Sequence, residues 1–293
     1  MTTALDGLRA RLGELARARR MRMAVDVPPP AANGHHAALA TASCAAPVIV
    51  PDPRCESIGI EALLPGGELS LPQGRVWVHE RLRSELDRHA RAPGELSAPP
   101  GRERALAALV HDGLASALFL DLETGGLASS PVFLAGVMFW NGEEFVLRQY
   151  FARHYGEEAA LIAAVSSEAR RFSHLVTFNG RSYDAPFLRG RSLVHGVPLS
   201  LPERHVDLLH AARRRWKRVL PNCRLQTLEQ RICRRHRSGD VPGAAIPELY
   251  HAWVRDGDPW PLAPVFHHNL LDVLTMGELL ESLCAPWREP EPA

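Results

Sequence analysis

Three short stretches of this sequence gather side chains that ligate hard cations or move protons. The first is Phe119-Leu120-Asp121-Leu122-Glu123-Thr124-Gly125-Gly126. On a strand, residues two apart face the same way, so Asp121 and Glu123 project together while Leu122 points into the core. Two carboxylates held side by side repel and raise each other's pKa unless a cation lies between them. That is costly architecture for a plain strand end, although acid pairs of this kind also occur at strand ends with no chemical role. The second stretch, Val176 through Leu188, runs from an apolar segment through Asn179-Gly180 to Asp184 at the start of a helix. Taken alone, Asp184 is equally a helix-start residue, favoured there by free N–H groups and the dipole. The third is His267-His268-Asn269-Leu270-Leu271-Asp272. Helical spacing buries Val273, Met276 and Leu280, leaves Asp272 on another face, and puts His268 one turn before it. A local ion pair explains that last spacing as well as catalysis does.

Several elements must position these groups. Residues 117–122 form a continuous apolar run of the kind found in a buried central strand. Two further strands, 132–140 and 144–150, are joined by the hairpin signal Asn141-Gly142. A helix over 157–171, a strand over 174–178 and a short helix at 184–189 follow. The remainder is helical, at about 208–218, 224–235, 247–256 and 264–282. The order predicts an α/β fold with a mixed central sheet flanked by helices and a helical C-terminal part. Neither GxGxxG nor GxxxxGK[ST] occurs, so a nucleotide-binding doubly wound fold is not indicated.

Upstream of that domain, placed at 113–286, two further regions are expected. Residues 1–53 read as an amphipathic basic helix followed by a flexible Ala/Pro-rich linker. Residues 54–112 read as a small β/helical element with an alternating run at Arg75-Val76-Trp77-Val78.

The 293 residues are 46% hydrophobic and 23% charged, which is ordinary globular composition. No apolar run approaches the roughly 20 residues of a membrane span, and the N-terminus lacks a secretory core. The five cysteines are scattered without a CxxC pair, so no zinc site is indicated and a reducing cytoplasm fits. Net charge is only +1, but residues 213–237 carry ten basic residues against one acid. Such polarisation suits contact with a polyanion, and a solvated helix with its arginines paired to distant acids suits it equally.

Taken together, the three stretches resemble the DEDD superfamily of 3′–5′ exonucleases, and within it the bacterial YprB-like group of RNase H-like domains. The order is DxETxG, then FNGxxYDxP, then HNxxDV, with His205-Val206-Asp207-Leu208-Leu209 between the last two. The resemblance covers about residues 114–282 and implies a two-metal hydrolysis of phosphodiester bonds, on DNA or RNA, at single-stranded 3′ ends. It implies two divalent ions, Mg²⁺ or Mn²⁺, which suit hard oxygen ligands. Asp121, Glu123 and Asp272 would hold one, and Asp121 would bridge to the second, which Asp184 reaches through water. For the general base His268 is the first candidate and His267 the alternative. Superfamily members use a His five residues before the last Asp, the spacing of His267, or a Tyr four before it, the position of His268. His268 shares the helical face of Asp272, whereas His267 serves if the helix begins only after it. Thr124 and Asn179 are implied contacts to the terminal nucleotide. Arg213, Arg214, Arg215, Lys217 and Arg218 are candidates for tracking phosphates, with Trp216 stacking on a base or packed inward. Tyr183 and Phe187 read as core. The alternative function is a nucleic-acid-binding module that keeps the fold and cleaves weakly or not at all.

Overall fold

A computed structural model of the chain describes residues 59–86, 96, 103–127, 129–237 and 239–286. The basic helix and linker expected over residues 1–53 lie outside the described residues.

Seven strands form one sheet in the order β1-β2-β5-β4-β3-β6-β7. They are β1 (Gly67–Leu71), β2 (Gly74–Leu82), β3 (Ala117–Thr124), β4 (Val132–Trp140), β5 (Phe145–Phe151), β6 (His174–Thr177) and β7 (Arg204–Asp207). Pairing is antiparallel from β1 to β3 and parallel across β3, β6 and β7. The fold is thus the expected mixed α/β sheet with flanking helices. Seven helices of at least seven residues are described: α1 (Arg104–Asp112), α2 (Glu158–Ala169), α3 (Asp184–His195), α4 (Leu208–Trp216), α5 (Leu225–Arg231), α6 (Ile246–Asp256) and α7 (Ala263–Cys284).

The central strands read as apolar runs because both faces are covered. Leu118 and Leu120 of β3 pack with Leu161, Ile162 and Val165 of α2 on one face. Phe119 packs on the other face with Val273, Met276 and Leu280 of α7 and with Ala212 and Trp216 of α4. Strand alternation therefore sends Asp121 and Glu123 toward α7, the face that carries the last motif. Asn141 closes the β4–β5 hairpin, its Oδ1 accepting the Glu143 and Glu144 N–H groups at 2.9 Å each.

Two features extend the expected organisation. The element expected at 54–112 contributes β1 and β2 to the same sheet, β2 pairing with β5 from Trp77↔Phe151 to Leu82↔Val146. Val76 and Trp77 are both buried, Val76 in the cluster with Leu161 and Ile162 and Trp77 on the other face with Phe151 and Tyr250. The short helix at 184–189 continues to His195 and ends at Gly196, whose φ of 61° gives the left-handed turn that stops it.

Candidate active site

The two ends of the site are brought together by long-range pairing. Asp121 and Glu123 stand on β3, Asp184 opens α3, and Asp272 lies midway along α7. Asp184 is tied to the strand directly, its Oδ1 accepting the Leu122 N–H at 3.2 Å. The turn that delivers it is held by Asp207 at the end of β7. That carboxylate accepts N–H bonds from Asn179 at 2.8 Å, Arg181 at 3.1 Å and Leu209 at 3.1 Å. Asn179 adopts a left-handed backbone, φ 65°, which asparagine tolerates better than most residues. Gly180 has no substitute there. A Cβ on it would lie 2.5 Å from the Thr177 side chain and 2.8 Å from Asp184 Oδ2.

On α7, Val273, Met276 and Leu280 are buried as helical spacing predicts, and Asp272 keeps 16% side-chain exposure. His268 sits one turn earlier, with Nε2 3.5 Å from Asp272 Oδ2 and Nδ1 2.7 Å from Asp240 Oδ1. The helix begins at Ala263, before both histidines, so the condition under which His267 would serve is not met. Between them and Asp272 lies Asn269, fully buried, whose Nδ2 donates to Asp121 Oδ2 at 2.9 Å. Its Oδ1 accepts from Gln149 Nε2 on β5 at 2.9 Å. Asp121 is therefore aimed by a buried amide relay running through three elements.

Electrostatically the acids are crowded. Burial pushes Asp121 well above the usual carboxylate range, and the charges of Asp272, Glu123 and Asp184 add to it. Glu123 is raised in the same way by burial and then by Asp272, Asp184 and Asp240, against a smaller opposing pull from Arg237. Burial lifts Asp184 to about 7 despite its backbone hydrogen bonds. An all-oxygen donor set with mutually repelling charges fits a hard divalent cation. As they stand, no three acidic, His or Cys side chains among the described residues are placed to share one ion.

A stability consequence follows with a definite sign. Acids whose folded pKa lies above the unfolded value cost stability as they ionise. Without divalent ions, the melting temperature should fall as pH rises from the ordinary carboxylate range to about 7, where Asp184 titrates. The lowered acids Glu68, Asp112, Glu158 and Asp240 work oppositely, but in a window at or below their usual range. Adding Mg²⁺ or Mn²⁺ should raise the melting temperature more at pH 8 than at pH 5. Equal shifts at both pH values would contradict this.

The proposed nucleic-acid contacts separate into two groups. Arg213, Arg214, Lys217 and Arg218 are exposed on and just after α4, with Arg214 paired to Glu103. Trp216 is 2% exposed and belongs to the core, so it offers no face to a base. Arg215 is spent on the Leu283 and Ala285 carbonyls at the end of α7. That end lies about 16 Å along the helix from Asp272 at 1.5 Å per residue. Thr124 donates its hydroxyl to Gly126 O at 3.0 Å, within the turn after β3. Tyr183 is corrected: at 68% exposure beside Asp184 it is not core, whereas Phe187 does pack partly against the α2 face.

This arrangement is accompanied by a family match. The chain belongs to the RNase H superfamily, whose RNase_H_2 family model matches residues 118–284, more than half of its length. Among curated proteins it is similar to YprB of Bacillus subtilis (strain 168), itself described as uncharacterized, at 36% identity over 163 residues. That match covers 54% of this chain and 39% of YprB, so the chain corresponds to well under half of that relative's length. Among solved structures, it is similar to the family B DNA polymerase of the hyperthermophilic archaeon Pyrobaculum calidifontis. There the TM-score is 0.47 at 22% identity, over 57% of this chain and 24% of the polymerase.

Residues that motif reading left without a role are Asp207, Gln149, Asn269, Asp240, Glu229 and Arg237. Asn269 and Asp207 stand inside quoted motifs. The other four carry no local signal, since their partners lie on distant elements.

Proposed function

We propose that this chain is a metal-dependent 3′–5′ exonuclease of the DEDD type, acting on single-stranded ends of DNA or RNA. The observation that carries the reading is the convergence of Asp121, Glu123, Asp184 and Asp272 from three separate segments, with the first three each raised above the usual carboxylate range. Asp121, Glu123 and Asp272 would hold one divalent ion, and Asp121 with Asp184 the second. Bound there, Mg²⁺ or Mn²⁺ supplies Lewis-acid stabilisation of the charge that develops on the phosphate and leaving oxygen.

The chain's own groups do the rest. His268 is the base: donating Nδ1–H to Asp240 leaves Nε2 free to take a proton from the attacking water. His267 is the weaker choice because its place on the helix turns it away from Asp272. Asn269 fixes the orientation of Asp121, and Asp207 fixes the turn that presents Asp184. Asn179 and Thr124 border the acids where a terminal nucleotide would sit. The exposed Arg213, Arg214, Lys217 and Arg218 attract the phosphate backbone further along the strand. Among the described residues no helix is long and apolar enough to cross a membrane.

A second reading retains nucleic-acid binding without hydrolysis. One observation favours it: both oxygens of Asp272 face side chains of this protein, Arg237 and His268.

The two readings separate on a matched pair of substrates, a linear single strand labelled at its 5′ end and a closed single-stranded circle. The exonuclease reading expects stepwise shortening of the linear strand with Mg²⁺ or Mn²⁺ and an intact circle. Cleavage of the circle would instead mean endonuclease action. Binding of both substrates with neither cleaved would favour the second reading.

A further inference from the structure

We infer that Arg237 is an internal counter-cation of the carboxylate cluster, bound to Asp272 where a divalent ion would take hold, and that it sets how tightly the protein accepts such an ion. This rests on reading the site as a divalent-metal centre.

Arg237 lies beyond α5 in the basic segment, yet its side chain is only 7% exposed. Its guanidinium reaches three acids on three stretches of chain. Nε donates to Glu229, Nη2 donates to Asp272 Oδ1, and Nη1 donates to Asp240 Oδ2 at 3.2 Å. Only a planar fork with several fixed donors makes that set of contacts, so lysine is not an equivalent. Asp240 in turn holds His268, whose Nε2 faces the other oxygen of Asp272. Arg237 thus holds Asp272 Oδ1 directly, while Asp240 links it to His268, whose ring lies beside Oδ2.

Two consequences follow from simple electrostatics. The arginine offsets charge in a crowded acid cluster, and its field reaches the strand, where it opposes the upward shift of Glu123. It also competes. An ion shared by Asp121, Glu123 and Asp272 needs the Asp272 carboxylate, whose Oδ1 the guanidinium now holds, and two cations do not share one carboxylate cheaply. Apparent affinity for the ion is then the intrinsic affinity scaled by the fraction of molecules in which Asp272 is released. Glu229 is 1% exposed and would lose its main partner with Arg237, but Arg235 Nη1 remains 3.7 Å from it.

The test is a Mn²⁺ titration followed by the electron paramagnetic resonance signal of the free ion. It compares wild type, Arg237→Gln and the double variant Glu229→Gln/Arg237→Gln, with Asp121→Asn as reference. The double variant removes the buried charge that Arg237→Gln would leave under-compensated, and so keeps the test usable if the single variant does not fold. Tighter Mn²⁺ binding by about tenfold or more in the folded Arg237 variants is expected, equivalent to a cluster in which Asp272 is released about one time in ten. Unchanged or weaker binding in those variants overturns the role of Arg237. Equal binding by wild type and Asp121→Asn would instead remove the metal-centre reading itself.

Discussion

Asp121→Asn should abolish hydrolysis while making the protein more stable. The carboxylate is raised well above its usual range, first by burial and then by Asp272, Glu123 and Asp184, so its ionised form is held against burial and repulsion. An amide of the same shape removes that repulsion, and its oxygen can still accept the Asn269 Nδ2–H that now goes to Asp121 Oδ2 at 2.9 Å. Relief of this kind is worth about 0.5–2 kcal/mol, and each kcal/mol moves the melting point of a body this size by roughly 2–4 °C. Activity should fall by about a thousandfold or more, since the proposed shared ligand of both ions is lost. Calorimetry in chelator beside a cleavage assay checks both halves. A variant that melts lower than wild type, or that keeps most of its activity, would contradict the assignment.

Gly136→Ala should damage the packing of the sheet and the site together. A Cβ at Gly136 on β4 would lie 2.2 Å from Asn269 Oδ1, 2.8 Å from Cγ and 2.9 Å from Nδ2. Asn269 cannot retreat without dropping its bonds to Asp121 and Gln149. Overpacking costs about 1–3 kcal/mol, and stranding the buried amide groups costs about 1–3 kcal/mol more. The orientation of Asp121 would be lost together with the packing. A double-mutant cycle separates the clash from general damage. Combining Gly136→Ala with Asn269→Ala should cost clearly less than the sum of the two singles, because the small side chain makes room for the methyl group. Additive costs would show that the two residues do not oppose each other. Activity should remain low in all three variants of the cycle.

The helices and strands around the site were largely legible in the sequence, because buried strands and long helices impose strong periodic patterns. Strand alternation set Asp121 beside Glu123, and helical spacing buried Val273, Met276 and Leu280 while freeing Asp272. Two features were less legible for physical reasons. Local spacing cannot reveal that β2 docks on β5, since the pairing joins residues more than sixty apart. Nor can a count of arginines show which are paired: Arg235 and Arg237 turn out to serve Glu278, Glu229, Asp240 and Asp272. Trp216 carried a usable signal, because Leu208, Ala212 and Trp216 recur every four residues and form the buried stripe of α4. Tyr183 misleads as an aromatic next to an apolar helix, since its place just before the first turn leaves it in solvent. The Gln149–Asn269–Asp121 relay needs a buried polar residue from β5, and only the assembled sheet explains it.

Metal-dependent cleavage of nucleic acid by these four carboxylates, the proposed activity, is decided by incubating 5′-labelled single-stranded DNA and RNA with the purified protein in Mg²⁺ or Mn²⁺, beside Asp121→Asn and a chelator control. A ladder of products shortened from the 3′ end is expected, abolished equally by chelator and by the substitution. Wild type and Asp121→Asn that are alike, whether equally active or equally silent while binding both strands, would contradict it.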